Sequence, residues 1–171
     1  MKLSDQREIK ADVATVWAAI LDADVLKACV PGCESMTGTP EDGFEAVVVQ
    51  KVGPVKARFT GAVTLSDMVP NQSLRISGEG KGGPAGFAKG GADVTLTATE
   101  AGTLLSYEVE ANVGGKLAQL GSRIIDGFAK KMADEFFARF QQAIEGEPEA
   151  EEEAAADTEV KKKGWLKRLV S

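Results

Sequence analysis

An α+β fold is expected, in which one curved antiparallel β-sheet wraps around a long C-terminal α-helix. Three observations lead there. Residues 34–113 alternate apolar and polar side chains, interrupted by turn residues at hairpin spacing. From Lys116 the apolar residues recur at steps of three and four instead of two, and do so up to Ile144. No helical stretch interrupts the strands, so they form a meander whose inner face needs a cover.

The elements follow in order. Lys2 to Lys10 reads as a first strand. Asp12 is placed to cap a short helix, Val13 to Leu21, because its side chain can accept from a free N–H of the first turn. Val13, Val16, Trp17 and Ile20 give that helix one apolar face. Asp22 caps a second short piece, Ala23 to Ala28, and Val30-Pro31-Gly32 turns the chain. In the next region, Val55, Ala57, Phe59, Gly61, Val63 and Leu65 alternate with Lys56, Arg58, Thr60 and Thr64, the pattern of a strand with one wet face. Val94 to Ala98 and Leu105 to Val113 repeat it. Gly53-Pro54, Pro70-Asn71-Gln72 and Glu100-Ala101-Gly102 mark the hairpins. Six or seven strands are expected.

Gly114-Gly115 ends the last strand, and one unbroken helix is expected from Lys116 to Ile144. Its stripe is Leu117, Leu120, Ile124, Phe128, Met132, Phe136 and Phe140, and Gly146 and Pro148 stop it. A sheet that grips such a helix at one end, a helix-grip fold, leaves a cavity between the two that suits apolar ligands. The candidate lining is Phe59, Phe87, Leu96, Tyr107 and Val109 from strands, with Leu117, Leu120, Gly121, Ile124 and Phe128 from the helix.

The chain has 171 residues and a net charge of −6 that is unevenly divided. Residues 1–144 form one domain of near-balanced charge. Residues 145–159 carry eight acids and no base and read as a disordered acidic linker. Residues 160–171 carry Lys161, Lys162, Lys163, Lys167 and Arg168 and no acidic side chain. Drawn as a helix, that tip places Trp165, Leu166, Leu169 and Val170 on one face, with most bases opposite. The expectation is a basic amphipathic membrane-binding tip. Each base contributes roughly 1 kcal/mol near an anionic leaflet, so attachment is weak and reversible. Docking of the tip on a partner protein is the alternative. A bilayer span needs about 20 apolar residues, and the tip is too short.

A mildly acidic body with few aromatics excludes nucleic acid as a partner. Met1-Lys-Leu-Ser-Asp-Gln-Arg-Glu has no apolar core of a signal peptide, so the chain is read as cytoplasmic, peripherally attached to the inner face of the cell membrane. Cys29 and Cys33 flank Pro31-Gly32 and read as structural thiols, and no metal site is expected. With no histidine, Ser-His and Cys-His dyads are impossible, and no catalytic residue is assigned. Glu108 and Glu110 share a strand face that alternates against Tyr107 and Val109, so they are read as solvated. Gly78-Glu-Gly80-Lys-Gly-Gly83 matches a dinucleotide fingerprint in letters only, since no helix follows. It reads as a Gly-rich hairpin or as a mobile lip over a pocket with Phe87 as its plug.

Several stretches together resemble one family. Met1-Lys-Leu-Ser, Val16-Trp17, Leu21 and Val30-Pro31-Gly32-Cys33-Glu34-Ser35 open the likeness. Gly53-Pro54-Val55-Lys56-Ala57 and Gly80-Lys-Gly-Gly-Pro84-Ala85-Gly86 continue it. The helix from Val113 to Asp126, with Lys130-Lys131-Met132-Ala133, Phe136-Phe137 and Phe140, completes it. The chain resembles the CoxG family, the G subunit of carbon monoxide dehydrogenase, within the START/Bet v 1-like (SRPBCC) superfamily, over about residues 1–144. The resemblance implies the helix-grip fold, a cavity for a hydrophobic small molecule, and a molybdenum-containing dehydrogenase as partner at the cytoplasmic membrane surface. Joined to the tip, it suggests a carrier of an isoprenoid quinone, menaquinone or ubiquinone, with no covalent cofactor. Two other readings stand beside it: a recruitment factor that anchors the dehydrogenase without carrying a ligand, and a small-molecule cyclase or hydrolase.

Overall fold

A computed structural model of the chain describes residues 1–146. The acidic residues from Glu147 onward and the predicted tip Lys161–Val170 lie outside the described residues. Strand β1 (Lys2–Ile9) is followed by helices α1 (Val13–Ile20) and α2 (Ala23–Cys29). Strands β2 (Cys33–Thr39), β3 (Gly43–Val52), β4 (Val55–Val69), β5 (Ser73–Lys81), β6 (Phe87–Ala98) and β7 (Thr103–Gly114) come next. A short helix α3 (Lys116–Gln119) precedes the long helix α4 (Ser122–Glu145). The strands form one antiparallel sheet in the order β1-β7-β6-β5-β4-β3-β2, so β1 closes against the last strand and the rest is a meander.

The caps are where the sequence puts them. Asp12 accepts from Thr15 N at 2.8 Å and starts α1. Asp22 accepts from Asp24 N and Val25 N and starts α2. The single C-terminal helix, in contrast, is two. Leu120-Gly121 breaks it, and Gly121 holds φ +88 and ψ 157, a conformation open to glycine alone. The apolar repeat runs through the break because Leu117 and Leu120 face inward on α3 as they would on one helix.

The glycine-rich run is also not a lip. Gly78 and Gly80 lie within β5, and Gly90 and Gly91 within β6, paired Gly78↔Gly90 and Gly80↔Ala88. Only 82–86 bridges the two strands. Gly82 is required there, since a Cβ would sit 2.5 Å from the Phe59 ring.

The core sits at one end of the sheet. Phe140 is fully buried, stacked on Phe136 at 5.5 Å and edge-on to Phe137 at 6.2 Å. Around them pack Ile9, Val16, Leu74, Val94, Leu96 and Leu105. The buried Thr103 hydroxyl donates to Ala11 O at 2.8 Å, so this polar group is satisfied. The second half of α4 therefore fills the grip. None of the residues from Ser122 to Phe136 is fully buried.

Candidate functional site

The reason for that half-burial is a cavity of about 380 Å³ between the first half of α4 and the sheet. The register accounts for it. Along the inner face, Val113 pairs with Ala88, Ala88 with Gly80, and Gly80 with Gly61. The neighbouring row runs Ala111, Gly90, Gly78. Opposite them α4 presents Ala129 and Ala133. Small side chains face small side chains, and close packing fails locally. The walls are Leu3 and Met1 on the β1 side, Val48, Val52 and Phe59 on the other, and Ile125, Phe128 and Met132 on α4.

Gln50 is the one polar side chain in the lining. Its Nε2 donates to Pro31 O and ties β3 to the turn after α2. With its amide turned to that carbonyl, Gln50 lines the cavity with its aliphatic stem. Everything else in the wall offers only apolar contact. Such a site suits an apolar molecule, and its volume lies within the range of about 300–1,000 Å³ usual for small-molecule sites.

Of the residues expected from sequence, Phe59, Val109, Leu117 and Phe128 line this cavity. The others do not. Leu96 is buried in the core beside Leu105. Tyr107 is two residues too far toward the packed end: its ring stacks on Phe137 at 5.0 Å, and its hydroxyl is engaged with Arg7. Burial raises the Tyr107 pKa, and Arg7 partly offsets this. Phe87 is 44% exposed, and its ring lies over Gly114 outside the cavity. Leu120 and Ile124 close over Gly53, at the end of the cavity: a Cβ on Gly53 would meet them at 3.9 and 3.4 Å. Gly121 has nothing within 4 Å of its would-be Cβ and shapes the chain rather than the cavity.

Reading the sequence missed Gln50, Ile125 and the small-residue floor. The floor had a signal in the alternation Ala88, Gly90, Ala92 and Gly78, Gly80. Gln50 had none, since its partner is distant in the chain.

The charged groups sit at the border of core and cavity. Arg7 reaches Asp134 on α4, and its guanidinium lies 5.3 Å from the Phe137 ring centre. Burial weighs against its charge, yet the Asp134 hydrogen bond and Tyr107 leave its pKa raised. Hydrogen bonds from Lys130 and Arg7 hold the Asp134 carboxyl below its ordinary value. The pair pins β1 to α4 beside the cavity. Cys29 is buried, which pushes its thiol up to about 11, so it is a packed thiol and not a nucleophile. Glu108 and Glu110 are exposed on the outer face of the sheet, as their alternation predicts.

The comparisons agree on the architecture. The family profile for the carbon monoxide dehydrogenase G subunit (CoxG) matches residues 6–145. A crystal structure of a conserved protein from Geobacillus kaustophilus superposes with a TM-score of 0.78 at 30% identity, covering 84% of this chain and 95% of that one. A START superfamily protein from Mycobacterium smegmatis shares the fold, with a TM-score of 0.62 at 14% identity over 84% of this chain and 97% of that one. Protein MLL2253 from Mesorhizobium loti does so with a TM-score of 0.60 at 19% identity, covering 83% and 95%. No curated protein matches the chain.

Proposed function

The chain belongs to the carbon monoxide dehydrogenase CoxG family, and from that premise we propose that it is a carrier of a hydrophobic ligand, an isoprenoid quinone, for a molybdenum-containing dehydrogenase. The observation that carries the reading is the cavity of about 380 Å³, walled almost wholly by apolar surface. A quinone matches it in kind. Its isoprenoid tail and the hydrocarbon faces of its ring are apolar, and it carries no charge that burial would penalise. The apolar wall then shields it from water.

The role follows from phase. A dehydrogenase in the cytoplasm is reduced in the aqueous phase, and the quinone that would take its electrons and become quinol lives in the bilayer. A protein that holds a quinone in a shielded pocket and touches the inner membrane surface links the two. The predicted tip, with Lys161–Lys163, Lys167 and Arg168 beside Trp165, Leu166, Leu169 and Val170, supplies one such contact. Among the described residues no helix is long and apolar enough to cross a membrane, which fits a peripheral attachment. The protein acts by binding and not by catalysis in this reading: the cavity wall contains no nucleophile, acid or base.

Solvent extraction and native mass spectrometry of the full chain, purified from a quinone-producing host, test the proposal. About one quinone per chain is expected. Chains that are empty from such a host, and that gain no mass when incubated with menaquinone or ubiquinone, overturn carriage and leave recruitment of the dehydrogenase as the function.

A further inference from the structure

The two ends of the sheet differ in charge. One end gathers the β3–β4 turn, the 82–86 link between β5 and β6, and the junction of β7, α3 and α4. It carries Lys51, Lys56, Arg58, Lys81, Lys116 and Arg123, all exposed. Among the described residues of those segments the acid is Asp126. Two acids lie on adjoining strands: Glu34, paired with Arg58, and Glu79, opposite Lys89 in the sheet. The other end gathers the remaining hairpin turns and the β1–α1 link, with Asp12, Glu41, Asp42, Asp67 and Glu100 against the base Lys10. The folded body is thus electrically polar along its strands, although its total charge is small.

Large apolar side chains reach the surface at both ends: Met68 and Val69 at the acidic one, Phe87 and Ile124 at the basic one. Phe87 is 44% exposed and Ile124 39%, and both stand among the cations. Ile124 abuts Gly53 on the β3–β4 turn, next to the cavity residues Val52, Leu117 and Ile125. Cations interleaved with a few projecting apolar side chains match a surface that is anionic at its face and apolar just beneath. An acidic protein would use the cations but give Phe87 and Ile124 no matching apolar layer. A nucleic acid would need further aromatic platforms, and this end exposes one ring, Phe87.

We propose that this basic end of the folded body is itself a docking face for an anionic lipid surface, with Phe87 and Ile124 entering the interface. Docked this way, the Val52–Leu117 end of the cavity faces the bilayer, and Ile124 is drawn toward lipid from its place over Gly53. The surface is separate from the C-terminal tip and independent of which ligand fills the cavity. Its test therefore reads a different quantity from ligand content.

The test uses the full chain with Cys33→Ser, leaving the buried Cys29, whose raised pKa makes it unreactive. An environment-sensitive fluorophore is attached either to Phe87→Cys or to Met68→Cys. Met68 is the matched control, 39% exposed at the acidic end. Each protein is mixed with phosphatidylcholine vesicles with or without phosphatidylglycerol. The expected result is a blue-shifted, brighter probe at 87 with the anionic vesicles only, and no change at 68. The triple reversal Lys56→Glu, Lys81→Glu and Lys116→Glu should abolish that response. It should also lower vesicle partition by roughly a hundredfold, at about fivefold for each base lost from the interface. These three side chains are exposed, and circular dichroism checks that the variant folds. Three results overturn the proposal: vesicle sedimentation with neither probe responding, which gives attachment to the tip alone; unchanged partition of the reversed variant; or a response at 87 to a purified acidic partner protein but not to vesicles.

Discussion

Filling the cavity should make the protein more stable and less able to bind. Ala129 lies on the α4 face of the cavity, half-buried, opposite the glycine and alanine rows of β5 and β6. Ala129→Leu adds three carbon atoms to that space. Full burial of each contributes about 0.8 kcal/mol, so the ceiling is about 2.4 kcal/mol. The cavity is partly open, so about half to two-thirds of this is realised, about 1–2 kcal/mol. Alanine and leucine differ little in helix propensity, so the backbone term is small. At about 4 °C per kcal/mol for a domain of this size, the ligand-free Tm should rise by about 4–8 °C. Quinone recovered by solvent extraction should fall at least tenfold. Thermal unfolding followed by circular dichroism and quantified extraction give the two readouts. A Tm that falls by a similar amount would refute the reasoning, because it would mean that the extra carbons meet packed atoms and not space. A rise in Tm with undiminished quinone would leave the cavity real but deny that it is the ligand site.

The opposite behaviour is expected at the packed end. Phe140→Ala should cost about 3–5 kcal/mol in chemical denaturation, since the fully buried ring leaves a void among Phe136 and Phe137. At the helix break, Gly121→Ala should cost about 1–3 kcal/mol from backbone strain alone, as no neighbour opposes the new Cβ; a neutral result in the same assay would mean that the break relaxes. Asp134→Asn should destabilise the protein in a pH-dependent way. The folded-state pKa of Asp134 is lowered from the ordinary value of 3.8, so its contribution is present above that value and is lost as the pH falls below it. The Tm gap between wild type and Asp134→Asn should be widest at neutral pH and close in acid; a gap that persists unchanged in acid would show that the charge of Asp134 contributes nothing.

The architecture was legible in the chain because local chemistry and global fold agree there. Alternation in Val55–Leu65 gives β4, Asp12 and Asp22 start the two short helices, and the C-terminal stripe seats Phe136, Phe137 and Phe140 in the grip. These signals are periodic or lie within a few residues of their effect. Breaks and neighbours were less legible. The repeat from Leu117 to Phe140 continues in phase across Gly121, so periodicity alone could not register the turn between α3 and α4. The glycine-rich run left a hairpin and a mobile lip open, because glycine disfavours strands in isolation; cross-strand pairing makes it the β5–β6 hairpin.

The cavity depends on how distant parts of the chain meet. Periodicity says which side chains face inward: strand alternation puts Phe59 and Val109 there and the helix stripe Leu117 and Phe128, and all four line the cavity. It cannot say which inward residues meet packed partners and which meet empty space. Leu96 and Tyr107 point inward too, but they lie along the sheet where α4 brings its phenylalanines. Val109, Ala111 and Val113 lie where α4 brings alanines. Whether an inward residue is core or cavity depends on the volume opposite it. That volume is fixed by strand register and helix position, which join residues as far apart in the chain as Lys2 and Glu110. The same holds for Gln50, whose amide is turned to the Pro31 carbonyl, so that its aliphatic stem lines the cavity.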